Sequence, residues 1–248
     1  MMHQPDLNHR LIVALDVPSL DEARRYVDDL EGVVRFYKIG LELFLAVNAD
    51  FLEELRQRQC RIFLDLKMND VDETIRRAVV QVSIMGVDFL TILGHQATVK
   101  AACLGRGDAP LKILGVPLLS SWSESDLREL LLLGPHPECT PRFEHIDDYV
   151  YWRADQAVSQ GCDGLIASGE YVKKLRARFK DTITIVSPAI RPSGEATHEH
   201  ARFLTPAEAI RDGADYLVVG RPIRDAPNRK DAALRILDEM EKAHLTSL

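Results

Sequence analysis

Long apolar runs are missing from this 248-residue sequence. A helix that crosses a membrane needs about 20 consecutive apolar residues, and no run approaches that length. The N-terminal segment MMHQPDLNHR is polar, and the first apolar run, Leu11 to Leu15, is too short to be the core of a signal peptide. We therefore expect no membrane partner and a cytoplasmic location.

Metal-binding and nucleophile motifs are missing as well. The four cysteines, Cys60, Cys103, Cys139 and Cys162, form no CxxC pair, so neither a zinc site nor a redox dithiol is indicated. The HExxH spacing of zinc hydrolases and the GxSxG elbow of serine hydrolases are also absent. The sequence predicts reduced thiols and gives no sign of a metal site.

An excess of positive charge is missing too, since the formal net charge is −7. This balance argues against a nucleic acid or an anionic membrane as partner, but it is compatible with a small cationic pocket for an anionic substrate. What the chain does have is apolar content, 46% of its residues, which is enough to build a sizeable core.

Eight short aliphatic runs recur along the chain, each followed by a helical pattern. Every run is continuous enough to be buried on both faces, as parallel strands are. They are Leu11 to Val17, Val33 to Gly40, Arg61 to Lys67, Val87 to Gly94, Leu111 to Leu119, Cys162 to Ser168, Ile183 to Ile190 and Ala214 to Gly220.

Start and stop signals mark some of the helices between these runs. Ser19 is followed three residues later by Glu22, which is the spacing of a capping box. Thr205 precedes Pro206, which we place at the first helical position, and Gly213 follows at the exit.

Strands that alternate with helices predict right-handed βαβ units and a parallel sheet. Eight such units over residues 1–248 favour one α/β domain, a single (β/α)8 TIM barrel with its active site at the C-terminal ends of the strands. The alternative is a doubly wound open sheet, but its GxGxxG motif is absent after the first strand, where the chain reads ALDVPS.

The densest group of polar residues ends the third strand. Asp65 and Lys67 are two apart and therefore point together into the barrel mouth, with Lys38 expected beside them from the neighbouring strand. An alternating array of Lys38, Asp65, Lys67 and Asp70 would keep the lysines protonated and the carboxylates ionised. A positioned ammonium of this kind suits proton donation to a developing carbanion. The alternative is a surface salt-bridge cluster at a strand end.

The segments SPAIRPSG and VVGRPI follow the seventh and eighth strands, where such barrels often bind phosphate. Gly220 would let the backbone approach a ligand closely, and Arg221 offers a fork of donors for phosphate oxygens. Arg191 lies in a stretch rich in Pro and Gly that would close over a ligand. These arginines are otherwise ordinary loop residues.

Weaker signals come from other strand ends. His95 would be a ligand or base, or equally a hydrogen-bonded structural histidine. Ser120, Ser121 and Ser168 are natural donors to a planar heterocycle, although loops are rich in serine anyway.

At these residues the sequence resembles the orotidine 5′-phosphate decarboxylase family. The similarity runs from ALDV at Ala14 to VGRPI at Val219, and FLDLKMND, Phe63 to Asp70, is similar to the family's DxKxxD signature. The resemblance implies an enzyme that converts orotidine 5′-monophosphate to uridine 5′-monophosphate and CO2, the last step of de novo pyrimidine synthesis. It also implies that no metal or organic cofactor is used.

The resemblance further implies a role for each matching residue. Lys67 would protonate C6 of the pyrimidine beside Asp65, while Lys38 and Asp16 would bind the ribose hydroxyls and hold the charged array. The remaining assignments are Ser120 and Ser168 to the base, Arg191, Gly220 and Arg221 to the phosphate, and Asp70 and Thr74 to the partner's site in a homodimer.

Two departures from the family pattern accompany the match. Many bacterial members read DIPNT after the lysine, whereas this chain has Asp70-Val71-Asp72-Glu73-Thr74 at the expected interface. His200 stands in the phosphate-closing loop where many members have Gln, so we expect phosphate binding to be more sensitive to pH.

Two other functions stay open. One is a magnesium-dependent sugar-phosphate decarboxylase or aldolase of the same suprafamily, against which Lys38 argues because it would repel the metal. The other is a non-catalytic barrel that binds a nucleotide, which would have no need of the proton donor Lys67.

Overall fold

Eight parallel strands and the helices between them form the molecule. The computed structural model describes residues 9–47, 49–122, 125–126, 143, 145–193 and 203–246. The strands are β1 Leu11–Ala14, β2 Phe36–Gly40, β3 Arg61–Met68, β4 Phe89–Ile92, β5 Lys112–Gly115, β6 Gly164–Ile166, β7 Thr184–Ser187 and β8 Tyr216–Val219. The helices are α1 Leu20–Asp29, α2 Leu41–Ala46, α3 Ala49–Gln57, α4 Asp72–Ile84, α5 Gln96–Arg106, α6 Ile146–Ser159, α7 Tyr171–Phe179, α8 Pro206–Arg211, α9 Arg221–Arg224 and α10 Arg229–Leu245, with a 3-10 turn at Lys180–Thr182.

The strands close into a ring in chain order, from β1 to β8. Each neighbouring pair is parallel, and Val13 of β1 lies opposite both Tyr37 of β2 and Val219 of β8. The predicted (β/α)8 barrel is therefore confirmed and the doubly wound open sheet is excluded. Seven of the strands lie inside their predicted runs, and β3 extends one residue beyond its run, to Met68.

A buried arginine joins the two ends of the ring. Arg10, which is only 8% exposed, donates from Nε to the carbonyl of Asp215 at 2.8 Å and from Nη2 to the carbonyl of Ala214 at 2.8 Å. These two carbonyls lie just before β8. Arg10, which directly precedes β1, thus also stabilises the residues that directly precede β8.

The core has two layers, one on each side of the sheet. Outward strand residues pack against the helices in a large aliphatic cluster, which includes Leu11, Ile39, Leu64 and Leu217. The inward residues fill the barrel itself, and they are Ile12, Ala14, Phe36, Phe63, Phe89, Leu114, Val186, Tyr216 and Val218.

The N-terminal end of the barrel is filled by aromatic rings and the cations of Arg61 and Lys112, whose Nζ lies 5.9 Å from the Phe89 centroid. The ring of Phe89 meets those of Phe36 and Tyr216 edge-on, with centroids 5.0 and 5.1 Å away. Above them the guanidinium of Arg61 lies 4.1 Å from the centroid of Phe36, and its Nε donates to Asp88 at 2.8 Å. We call Phe36, Arg61, Phe89 and Tyr216 the aromatic plug.

The helix starts follow the sequence signals. The hydroxyl of Ser19 accepts from the backbone N–H of Glu22 at 3.4 Å. Thr205 and Glu208 form a reciprocal capping box, with Pro206 in the first turn of α8. Gly213 leaves that helix at φ +98°, a left-handed backbone that glycine adopts without strain.

Cys60, Cys103 and Cys162 are free thiols, while Cys139 lies outside the described residues. None of the described helices is long and apolar enough to cross a membrane.

Candidate active site

A chain of ion pairs crosses the C-terminal ends of β1, β2 and β3. Lys38 Nζ lies 2.8 Å from Asp16 Oδ1 and 3.5 Å from Asp65 Oδ2, and Lys67 Nζ lies 2.8 Å from Asp65 Oδ1. The Lys38 and Asp65 side chains are only 10% and 15% exposed, whereas that of Lys67 is 37% exposed. The structure thus brings together Asp16, Lys38, Asp65 and Lys67. Of the two lysine side chains, that of Lys67 is the more accessible to solvent.

A glycine at the end of β2 makes room for this chain. A Cβ at Gly40 would lie 3.2 Å from Asp16 Oδ1 and 3.3 Å from Lys38 Nζ, which is tighter than an ordinary contact. Gly40 is the last residue of the predicted run Val33 to Gly40, but its spatial relation to Asp16 was not predicted, because it depends on how β1 lies beside β2.

Asp65 is held ionised by its neighbours. Burial by itself raises the pKa of this carboxyl, but the attraction of Lys38 and Lys67, with hydrogen bonds from Lys67 and Thr91, outweighs burial and lowers the pKa below its ordinary value. The side chain therefore carries a full negative charge next to the Lys67 ammonium at neutral pH.

The backbone at Lys67 is irregular. Its φ is +47°, in the left-handed region that residues other than glycine seldom adopt. The pairing of β3 with β4 shifts register between Leu64 and Met68, so Lys67 lies in a bulge. Lys67 and Asp65 do point together, as predicted, but a bulged strand and not a regular one brings them into contact.

A cavity lies directly above this charged chain. Lys38, Asp65 and Lys67 provide one charged wall, and Ser120 and Ser168 provide hydroxyls. The rest of its lining is apolar, from Phe63, Val116, Leu118, Leu119, Ile166, Pro188 and Val218. A ligand that fills this largely apolar space would displace water from the ammonium, which strengthens the attraction of the ammonium for a developing negative charge.

A second cavity adjoins the first and shares Lys38 and Ser120 with it. Its lining also includes Asp16, Arg191, Gly220, Arg221 and Arg224. Three guanidinium groups around one space suit an anion such as phosphate. Arg224 was not singled out from the sequence, although it follows Arg221 by three residues in GRPIR.

The loop that carries Arg191 is tied down and strained. The N–H of Arg191 donates to the carbonyl of Leu204 at 3.0 Å, and Ile190 and Leu204 form an isolated parallel bridge. The preceding Ala189 has φ +60°, which costs a residue with a Cβ about 1–2 kcal/mol.

Other predicted residues lie elsewhere. Asp70 is exposed before α4, where its carboxylate accepts from the N–H of Val71 at 2.6 Å, and Thr74 is exposed on α4 itself. Neither lines the two cavities, so Asp70 does not join the array of Lys38, Asp65 and Lys67 within one chain. His95 precedes α5, where its Nδ1 lies 3.2 Å from Thr98 Oγ1, as in the structural reading of that residue.

Two further predicted residues do not contribute to the described site. Ser121 is exposed, lies six residues after the end of β5 and lines neither cavity. His200 lies outside the described residues. Within the described ranges no group of three His, Cys, Asp or Glu residues is arranged to hold a metal ion.

Comparison with known proteins gives a consistent result. A profile described as "Orotidine 5'-phosphate decarboxylase / HUMPS family" matches residues 9–236. Proteins named orotidine 5'-phosphate decarboxylase are similar over almost the whole chain: that of Nitrobacter winogradskyi is 44% identical, covering 97% of both chains, and that of Rhodopseudomonas palustris strain BisB5 is 41% identical, covering 94% of this chain and 95% of the relative. The crystal structure of orotidine 5'-phosphate decarboxylase from Lactobacillus acidophilus superposes with a TM-score of 0.79 at 31% identity, covering 94% of this chain and 99% of that one.

Proposed function

The chain belongs to the orotidine 5′-phosphate decarboxylase family, and we propose that its two adjoining cavities bind orotidine 5′-monophosphate with Lys67 as the proton donor. The reaction is the decarboxylation of orotidine 5′-monophosphate to uridine 5′-monophosphate and CO2, the last step of pyrimidine nucleotide synthesis. One observation carries the assignment of Lys67: its ammonium is paired with the ionised Asp65 and lines an apolar cavity.

The reaction needs a stabilised carbanion and one proton. The bond between C6 and the carboxylate breaks, CO2 leaves, and the bonding electrons remain on C6, where the ring cannot delocalise them. The Lys67 ammonium attracts this developing charge and transfers a proton from Nζ to C6, which gives uridine 5′-monophosphate. Catalysis of this kind depends on an interaction that is stronger in the transition state than in the ground state.

Asp65 and Lys38 orient the donor. Asp65 Oδ1 accepts from Lys67 Nζ at 2.8 Å, and Lys38 at 3.5 Å from the other carboxylate oxygen keeps Asp65 ionised. An ionised Asp65 also repels the substrate carboxylate, a contribution that we rank second to the ammonium. Asp16 and Lys38 together offer an acceptor and a donor for ribose hydroxyls.

The remaining substrate groups match the rest of the lining. Ser120 and Ser168 offer hydroxyls to the pyrimidine in the first cavity, and Arg191 and Arg221 offer guanidinium donors to the phosphate in the second. The phosphate lies far from C6, so its binding energy can be used to orient the pyrimidine at Lys67 and to exclude water from C6.

We also propose that the enzyme works as a homodimer in which Asp70 and Thr74 contact the partner's substrate. Both side chains are exposed and lie outside the cavities of their own chain. The neighbouring helices α4 and α5 expose Ile84 and Leu104, at 73% and 63%, and Val71 before α4 is 71% exposed. Val71 adjoins Asp70, whereas Ile84 and Leu104 lie in the last turns of α4 and α5. Several large exposed apolar residues on two neighbouring helices are typical of a protein interface.

A cytoplasmic location is the last part of this proposal. Free thiols at Cys60, Cys103 and Cys162 agree with a reducing compartment. Fractionation of cells that express the tagged protein would test it, and recovery from a secreted fraction would contradict it.

The decisive experiment follows the loss of orotidine 5′-monophosphate absorbance with purified protein in excess chelator, for the wild type and Lys67→Ala. We expect fast conversion by the wild type and a fall in kcat of about 10²- to 10⁴-fold in Lys67→Ala, which is the range that general acid catalysis contributes. A non-decarboxylatable nucleotide analogue should still bind to Lys67→Ala.

Each other outcome points to a different function. Activity only on a sugar phosphate with added magnesium would favour the metal-dependent members of the suprafamily. It would contradict the hypothesis that Lys38 repels a metal ion. Tight nucleotide binding by the wild type without turnover would favour a non-catalytic barrel. Normal turnover by Lys67→Ala would remove this residue from the mechanism.

Mixing two inactive variants tests the shared site. If Asp70 serves the partner, a heterodimer of Lys67→Ala and Asp70→Ala contains one site with both lesions and one intact site, so mixing should restore part of the activity. Lys67→Ala mixed with Lys38→Ala is the matched control, because both residues serve their own chain and no intact site forms. Equal results from the two mixtures would contradict the shared site.

A further inference from the structure

A buried threonine on β4 connects the two halves of the charged wall. Thr91 is fully buried, and its Oγ1 accepts from the backbone N–H of Lys67 at 2.9 Å. The same hydroxyl donates to Asp65 Oδ1 at 3.0 Å. One side chain thus holds both the main chain of the proton donor and the carboxylate that orients its ammonium.

The bulge in β3 explains why a side chain is needed here. Leu64 pairs with Leu90 and Met68 with Ile92, so the stretch of β3 between these pairs is longer than the matching stretch of β4. Lys67 lies in this excess length, where a regular ladder no longer supplies its N–H with a carbonyl. Pairing resumes where the N–H of Leu93 donates to the carbonyl of Met68 at 3.1 Å. The Thr91 hydroxyl satisfies the N–H in between.

The left-handed backbone of Lys67 needs external support. A residue with a Cβ at φ +47° is strained and persists only where its surroundings fix it. The bond from Lys67 N–H to Thr91 is such a restraint. If that bond is lost, the bulge can relax and move Lys67 Nζ away from the position it holds 2.8 Å from Asp65.

We propose that Thr91 is a positioning residue of the decarboxylase: its hydroxyl locks the bulge at Lys67 and the rotamer of Asp65, and so aims the ammonium at C6. Thr91 lines neither cavity, so it acts through Lys67 and Asp65. This inference rests on the role of Lys67 proposed above.

The test replaces only the hydroxyl. Thr91→Val keeps the shape and branching of the side chain but leaves the Lys67 N–H and an Asp65 oxygen without this partner. We expect kcat to fall about 10- to 100-fold, as when a group that orients a catalytic ligand or base is removed, with KM little changed because substrate contacts persist. Thr91→Ser retains the hydroxyl and should restore most of kcat.

A second buried hydroxyl provides the control. Ser187 on β7 is also fully buried, but its Oγ has no hydrogen-bond partner in the described part of the chain. Ser187→Ala should therefore leave kcat and KM unchanged. If Thr91→Val does not fold, Thr91→Cys, of similar size and weaker hydrogen bonding, takes its place in the comparison.

The outcomes separate this inference from the proposed function. Wild-type kcat in Thr91→Val, no recovery in Thr91→Ser, or an equal loss in Ser187→Ala would each overturn the role of Thr91. If Lys67→Ala is inactive while Thr91→Val is normal, only the positioning role fails. If Lys67→Ala is active, both the proposed role of Lys67 and the positioning role of Thr91 fail.

Discussion

Strands β2 and β4 each place one inward side chain at the N-terminal end of the barrel and another at the C-terminal end, and the two ends differ in chemistry. At the N-terminal end, β2 and β4 place Phe36 and Phe89 inside, and Arg61 lies on the Phe36 ring. Two residues further along these strands, the inward positions are Lys38 and Thr91. The N-terminal end packs the Arg61 guanidinium against rings, whereas the C-terminal end keeps its cations between carboxylates and beside a cavity.

The difference shows what each end contributes. Packing an aromatic side chain removes apolar area from water and stabilises the fold. A chain of charges beside a cavity contributes less to stability, because burial of ions is opposed by their desolvation. We therefore expect substitutions in the aromatic plug to change the free energy of unfolding and substitutions at the rim to change turnover.

Phe89→Ala should give the largest loss of stability. Phe89 is fully buried, and truncation of such a residue costs about 3–5 kcal/mol of unfolding free energy. Urea denaturation measures this loss, and the folded variant should keep a kcat close to that of the wild type. Leu234→Ala is the control, since Leu234 is 47% exposed. A Phe89→Ala protein of normal stability but lost turnover would break the division between the two ends.

Arg221→Ala should weaken substrate binding without removing the chemistry. We expect kcat/KM to fall about 10²-fold, mainly through KM, because a hydrogen bond between charged groups contributes about 1.5–3 kcal/mol. Steady-state kinetics measure this fall. Arg224→Ala should have a smaller effect, since its guanidinium already donates to Asp225 at 2.7 and 3.1 Å. A fall in kcat with unchanged KM would instead assign Arg221 to the chemical step.

Arg61→Met should lower the free energy of unfolding by about 1–2 kcal/mol, the sum of its contact with the rings and its ion pair with Asp88. Turnover should not change. Arg24→Met provides a matched control, because Arg24 pairs with Glu54 at 2.8 Å on the surface, and such pairs contribute about 0.2–1 kcal/mol. Equal losses of unfolding free energy in the two variants would show that the contact between Arg61 and the aromatic rings does not stabilise the fold.

Ala189→Gly should give the smallest effect and the opposite sign. Relief of the left-handed strain, about 1–2 kcal/mol, is partly offset by the greater freedom of glycine in the unfolded chain, about 0.4–1 kcal/mol. We expect a net gain of about 0.5 kcal/mol in urea denaturation. Ala207→Gly, in helix α8, should instead lose about 0.5–1 kcal/mol. Destabilisation by Ala189→Gly would mean that the loop is not strained.

The sequence predicted the barrel, because each buried strand is a continuous aliphatic run. It also predicted that Lys38, Asp65 and Lys67 lie together, since they end neighbouring strands. It did not predict the left-handed Lys67, the hydroxyl of Thr91 or the tight fit at Gly40. These depend on how one strand shifts along the next, which no local pattern encodes.

The closure of the ring between β1 and β8, which Arg10 stabilises, has a consequence for biosynthesis. Because Leu11 pairs with Leu217, β1 can pair with β8 only after almost the whole barrel has been synthesised. Until then β1 has one unpaired edge, and the Arg10 guanidinium lacks the carbonyls of Ala214 and Asp215. Contacts between such distant residues form late and slow folding. A nascent chain that stalls before β8 is synthesised is therefore an open sheet. Its unpaired edge strands can pair with strands of other chains or bind chaperones.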